Sequence, residues 1–153
     1  MLFIVNTCLL AQDLRSDKDQ KAVHEVLVKL FDGMREGDSA KVSSVFFRNV
    51  AMYTSFKDSQ GVERIQKGEL EAFLNAIGTP HDQVWDERIW NTKILVEGGI
   101  AQVWTQYAFY RDKDFSHCGV DAFHLVKDPE EGWQIVHLMD TRNKTGCEER
   151  HGQ

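Results

Sequence analysis

The residue whose surroundings most call for a chemical explanation is Asp121. It lies in Ser116–Lys127, Ser-His-Cys-Gly-Val-Asp-Ala-Phe-His-Leu-Val-Lys. Strand alternation puts His117, Gly119, Asp121, Phe123 and Leu125 on one face and Cys118, Val120, Ala122, His124 and Val126 on the other. Both faces are mostly apolar, so the strand is central and covered on both sides. A carboxyl group desolvated there favours its neutral form and becomes a hydrogen-bond donor or an acid. The plainer alternative is a buried Asp satisfied by a tyrosine, a tryptophan or a backbone amide. His117 and Asp121 are the candidate catalytic residues. Four residues at about 3.3 Å each hold them roughly 13 Å apart, too far for a direct dyad or a shared metal ion. Cys118 and His124 point the other way, so no metal site is expected.

A partner for Asp121 must therefore come from a neighbouring strand. On the last strand-like run, His137 and Asp140 differ by an odd number, so only one shares its face. His137 would make an acid/base pair; Asp140 would make two carboxyls that raise one another's proton affinity. Arg142 either bridges to Asp140 or sits at the rim.

The elements that must hold these groups can be read along the chain. The 153 residues, 42% hydrophobic and 27% charged, suffice for one domain with a real core. A net charge of -6 with no basic stripe argues against nucleic acid and anionic membrane surfaces as partners. Residues 1–11 carry a short apolar run, Leu2–Leu10, ending at Ala11-Gln12. It reads as a secretory leader or its remnant, too short for a membrane span, or else as an N-terminal arm. A periplasmic or secreted location follows from the leader, a cytoplasmic one without it. Residues 12–146 form the single domain and 147–153 a polar tail. Cys118 reads as a small buried hydrophobe; a Cys118–Cys147 bond is the alternative for an exported chain.

Val23, Val26, Leu27, Leu30, Phe31 and Met34 recur at helical spacing after a cap at Ser16 or Asp17, and Gly37 ends that helix. Asp38-Ser39 caps a second helix running to about Arg48-Asn49, and Glu69–Ile77 makes a third. Val50–Phe56 and Val62–Lys67 form a hairpin. Val84–Val96, Ile100–Arg111, Phe115–Val126 and Trp133–Thr141 follow as long strands with short turns. The order predicts an α+β domain: a cone-shaped, curved antiparallel β-sheet whose cavity is closed by about three helices from the N-terminal half.

That order resembles the nuclear-transport-factor-2-like superfamily, shared with ketosteroid isomerases and SnoaL-like cyclases, over about Asp17–Arg142. Phe73, Trp85, Trp104, Tyr107, Ser116-His117-Cys118-Gly119, Gly132-Trp133 and Asp140-Thr141-Arg142 resemble an uncharacterised bacterial branch related to proteins described as putative lumazine-binding. The resemblance aligns Asp121 with the isomerase's protonated aspartic acid, an enzyme that is a standard example of a carboxyl kept neutral by its site. The isomerase's tyrosine and general base would fall near Leu30 and Thr54, so steroid isomerisation is disfavoured.

The pocket expected from these elements is lined by Phe31, Phe47, Met52, Thr54, Phe73, Trp104, Tyr107, Asp121, Phe123 and Asp140. No cofactor is expected. The leading function is binding of a small apolar or aromatic molecule anchored by Asp121. The alternatives are an isomerase, cyclase or dehydratase using Asp121 with His117 or a last-strand base, or a dimeric interaction module without an active site. Large side chains on both faces of the long strands predict a homodimer through the outer sheet face.

Overall fold

A computed structural model of the chain describes residues 6–147. Helix α1 (Asn6–Glu36) buries Val23, Leu27, Leu30, Phe31 and Met34, the face expected from their spacing. Gly37, at φ 69°, turns the chain out of the helix. The Asp38 carboxylate then accepts from the Lys41 amide at 2.9 Å and starts α2 (Ser39–Ser43). This second helix is shorter than its sequence suggests, because Val45 accepts a backbone bond from Ile135 at 2.8 Å and the chain enters the sheet at Phe46. The expected leader begins outside the described residues, and from Asn6 onward its backbone is the start of α1. No described helix is long and apolar enough to cross a membrane.

Strands β1 (Phe46–Lys57) and β2 (Glu63–Gly68) form the hairpin, and α3 (Leu70–Gly78) follows. The long strands are β3 (Trp85–Glu97), β4 (Ile100–Arg111), β5 (Asp114–Asp128) and β6 (Gly132–Arg142). The six strands make a curved, unclosed sheet in the order β2-β1-β6-β5-β4-β3. Neighbours are antiparallel except β1 and β6, which run parallel and join the first strand to the last. Helix α1 lies against β3, and Phe73 of α3 meets Phe46 edge-on at 6.3 Å, so the helices roof the inner face.

Register creates two adjacent rows. Thr54, Asp140, Asp121 and Thr105 pair across β1, β6, β5 and β4, and the row beside them is Tyr53, Met139, Ala122 and Trp104. Alternation sends the polar row inward and the apolar row outward. In β3 a bulge between Trp90 and Lys93, with Asn91 at φ 53°, resets parity. Trp85 and Ile89 before it and Ile94 and Val96 after it all pack on the core.

Beyond β6 the chain returns across β5: Asn143 and Cys118 exchange backbone bonds at 2.8 and 2.9 Å. This brings Cys147 within 6.1 Å of Cys118 by Cα, and the two are joined as a disulfide rather than lying as separate thiols. Cys147 is buried at 2% exposure beside Ala108, Trp90 and Tyr110. Closing a loop of 29 residues limits the unfolded chain and stabilises the fold by about 3.6 kcal/mol. The double variant Cys118→Ala/Cys147→Ala should lose about 2–4 kcal/mol in urea unfolding, and reductant should produce the same loss in the parent but none in the variant.

Candidate functional site

A cavity of about 370 Å³ lies between the inner face and the helices. Its apolar walls come from Leu30, Phe31 and Met34 of α1, Phe73 of α3, and Met52, Phe123 and Leu138 of the sheet. Thr54, Glu87, Asp121, Asp140 and Arg142 supply polar groups, while Lys67 and Glu69, joined at 2.7 Å, stand between β2 and α3.

Asp140 is held by donors. Thr54 Oγ1 donates to its Oδ1 at 2.5 Å and Arg142 Nε donates to Oδ2 at 2.7 Å, with Tyr107 OH at the longer distance of 3.4 Å from Oδ2. Tyr107 OH also lies 2.9 Å from the Thr141 carbonyl. Burial, reinforced by the negative charge of Glu87 and Asp140, keeps the Tyr107 phenol protonated. Asp140 is thus an ion-paired carboxylate whose two short bonds are made within the protein.

Asp121 has the opposite environment. It is 3% exposed, and no hydroxyl, amide or cationic donor among the described residues bonds its buried Oδ2. Its carboxyl group and that of Glu87 hydrogen-bond to each other. Burial, then the charges of Glu87 and Asp140, raise Asp121 well above the usual carboxylate range. Burial also raises Glu87, to about 7, while the hydrogen bond from Asp121 acts in the opposite direction. Both carboxyls are thus raised above their usual range, and near neutral pH the pair retains a proton shared across their hydrogen bond.

Seven residues expected in the pocket line this cavity: Phe31, Met52, Thr54, Phe73, Asp121, Phe123 and Asp140. The register question is answered in favour of Asp140; His137 instead stacks on His124, with their Nδ1 atoms 2.9 Å apart. Three residues fall elsewhere. Trp104 is in the outward row and 50% exposed. Phe46, not Phe47, turns into the core where β1 enters the sheet, leaving Phe47 beneath the Arg48 guanidinium at 5.5 Å. Tyr107 lies behind the lining and reaches the site through its hydroxyl.

His117 and Asp121 are not brought together. His117 packs on Tyr107 and Phe109, with ring centroids at 5.7 and 5.1 Å, and faces an adjoining hollow. Burial first, then the charge of Arg142, lowers it to about 4. Among the described residues no group of three His, Cys, Asp or Glu side chains is arranged to hold a metal ion. Sequence reasoning passed over Glu87, whose Trp85-Asp86-Glu87-Arg88-Ile89 context reads as a solvated charge run. Its signal was parity: Glu87 shares a face with Trp85 and Ile89, and Asp86 and Arg88 pair with each other on the other side at 2.7 Å.

A carboxyl that holds its proton more tightly when folded stabilises the fold below its unfolded value, and that contribution is lost as pH rises through the folded one. For Glu87 the loss runs between about pH 4.5 and 7. His117, with its folded value lowered from 6.5 to about 4, acts oppositely, its contribution growing as pH rises through that window. Urea unfolding of the parent and Glu87→Gln from pH 4 to 8 should differ by the linkage of about one proton, the variant losing less stability toward neutral pH. Superimposable pH profiles would contradict the shared-proton arrangement.

The family model described as "Putative lumazine-binding" matches residues 18–139. Among curated proteins no sequence matches. The fold is similar to that of an NTF2-like protein with a cystatin-like fold from Novosphingobium aromaticivorans, at 15% identity and a TM-score of 0.71 over 97% of each chain. An NTF2-like protein of unknown function from Shewanella baltica is 17% identical, with a TM-score of 0.62 over 84% of this chain and 96% of that one. A putative dehydratase of the NTF2-like family from Streptomyces avermitilis is 14% identical, with a TM-score of 0.61 over 84% of this chain and 99% of its own. At these identities the structures establish the fold alone, which is that of NTF2-like proteins, and the family model establishes the kinship: the chain belongs to the family described as "Putative lumazine-binding".

Proposed function

We propose that the cone binds a small, largely apolar or aromatic molecule, anchored by Asp121. The observation that carries this reading is the Asp121 carboxyl, which lines an otherwise mainly apolar cavity and whose one side-chain partner among the described residues is the Glu87 carboxyl. A ligand polar group bonds to that carboxyl, and the aromatic and aliphatic walls bury the rest of the molecule. Lumazine, named in the family description, combines a flat ring system with N–H donors and carbonyl acceptors and is a natural first probe.

A second reading is acid/base catalysis of the isomerase, cyclase or dehydratase kind. It is favoured by Glu87, whose proton affinity lies near neutrality, beside an Asp121 that remains protonated. In that reading Glu87 is the base and Asp121 the acid or oxyanion donor, and His117 takes no part. A cavity of about 370 Å³ argues against a filled, vestigial cone.

The assembly proposed is a homodimer through the outer face. Tyr53, Met139 and Trp104 stand exposed in one register row, with Ile65 80% exposed in the same groove. The Cys118–Cys147 bond supports an exported chain, since such bonds persist in oxidising compartments.

Asp121→Asn should retain the parent's circular dichroism while weakening binding of lumazine or 2-naphthol, followed by fluorescence, about tenfold, equivalent to about 1.4 kcal/mol. Unchanged affinity would remove Asp121 as the anchor. Light scattering after gel filtration should give twice the chain mass for the parent and a monomer for Trp104→Glu/Met139→Glu; a parent monomer at micromolar concentration would overturn the dimer.

A further inference from the structure

Beside the cavity a second hollow of about 570 Å³ opens, and Thr54, Gln66 and Arg142 belong to the walls of both. Its remaining walls include Lys57, Arg111 and Lys144 with Ser116 and His117, and no Asp or Glu side chain is among its lining residues. In a chain of net charge -6, four cationic side chains around one space without a carboxylate constitute local charge segregation. Arg142 spends Nε on Asp140, and Lys57 makes one loose pair with Glu63 at 3.7 Å, both partners 65% exposed. Arg111 and Lys144 form no ion pair among the described residues.

His117 registers the field of these groups. Burial is the largest cause of its lowered proton affinity, with Arg142, Arg111 and Lys144 acting in the same direction and Asp140 opposing them. Its imidazole is therefore neutral at physiological pH, and its Nδ1 lies 3.0 Å from Ser116 Oγ. A neutral ring keeps one N–H to donate. The wall formed by Asn143, Lys144 and Thr145 is tied down by the Asn143–Cys118 backbone pair and by the disulfide.

We propose that this hollow is an anion subsite, formed by Arg111, Arg142, Lys144 and Lys57, which takes the carboxylate or phosphate end of the molecule whose apolar body occupies the cavity. The part of this inference that joins the two spaces rests on the binding reading above; the anion subsite stands on its own lining. Guanidinium and ammonium groups supply charge-assisted bonds to the anion, and the Ser116–His117 pair, having used one hydrogen between its members, keeps one neutral donor. The shared wall at Thr54, Gln66 and Arg142 makes one amphiphilic ligand continuous across both spaces.

Three probes separate the two readings: inorganic phosphate, 2-naphthol and 2-naphthyl phosphate, each tested on the parent and on Arg111→Gln/Lys144→Gln. Phosphate should raise the His117 titration midpoint, followed by NMR, in the parent and much less in the variant. 2-Naphthyl phosphate should bind the parent at least about tenfold more tightly than 2-naphthol at low salt, and the variant should lose most of that preference while binding 2-naphthol unchanged. Equal affinities of the two naphthyl probes for the parent, or a preference that survives in the variant, would overturn the subsite and leave the cavity reading standing. If phosphate raises His117 in the parent alone while 2-naphthol fails to bind, the subsite is supported and the cavity reading fails.

Discussion

A proton shared between Glu87 and Asp121 is the interaction on which the inner face depends. Asp121 is placed by register in the middle of the sheet and roofed by α1, with no cation bonded to it. Two ionised carboxylates in contact under that roof would face both desolvation and mutual repulsion. Retaining one proton removes most of that penalty, so the two strands β3 and β5 meet through a bond that requires a neutral acid. Asp140 in the same row solves the problem differently, by charge: Thr54, Tyr107 and Arg142 converge on it. Side by side the sheet holds a carboxyl kept neutral and a carboxylate kept paired.

This arrangement inverts the ordinary partition of polar and apolar groups. Across the sheet's centre, Thr54, Asp140, Asp121 and Thr105 face inward, while Tyr53, Met139, Ala122 and Trp104 face outward. A sheet serving only as a wall for a packed core has no need of the first row and is harmed by the second. Both make sense when the inner face surrounds something and the outer face is covered. The polar row also spares little space for water-independent satisfaction: Thr105, fully buried, is bonded at 2.7 Å to Thr92 and at 3.1 Å to the Trp90 carbonyl, using the β3 bulge as its partner.

The helical face of α1, the hairpin, the four long strands and Asp121 itself were legible because each announced itself through periodicity or through one polar residue among apolar neighbours. Glu87 was not, since a charged residue flanked by charges looks solvated unless the strand's parity is known, and that parity is reset at Asn91. Trp104 illustrates the converse: size and hydrophobicity suggested the interior, but its phase relative to Thr105 sends it outside. The end of α2 depended on a distant backbone bond, from Ile135 to Val45, that no local propensity encodes. The Cys118–Cys147 bond likewise required knowing that the chain turns back across β5 after Arg142. What local pattern could not provide was, in each instance, a relation between residues far apart in sequence.

The parallel pairing of β1 with β6 carries a consequence for how the molecule comes into being. Thr54 meets Asp140 across a separation of 86 residues, and β6 occupies the sheet position between β1 and β5. On the ribosome the first hairpin emerges long before its permanent neighbour exists, so one side of β1 stays open until nearly the whole domain has been made. Long-range pairing of this kind slows folding and leaves an unpaired edge vulnerable to association in the meantime. The acid floor of the cavity is consequently among the last features to be assembled. A chain truncated before Gly132 would lack a central strand of its sheet together with Asp140 and Arg142.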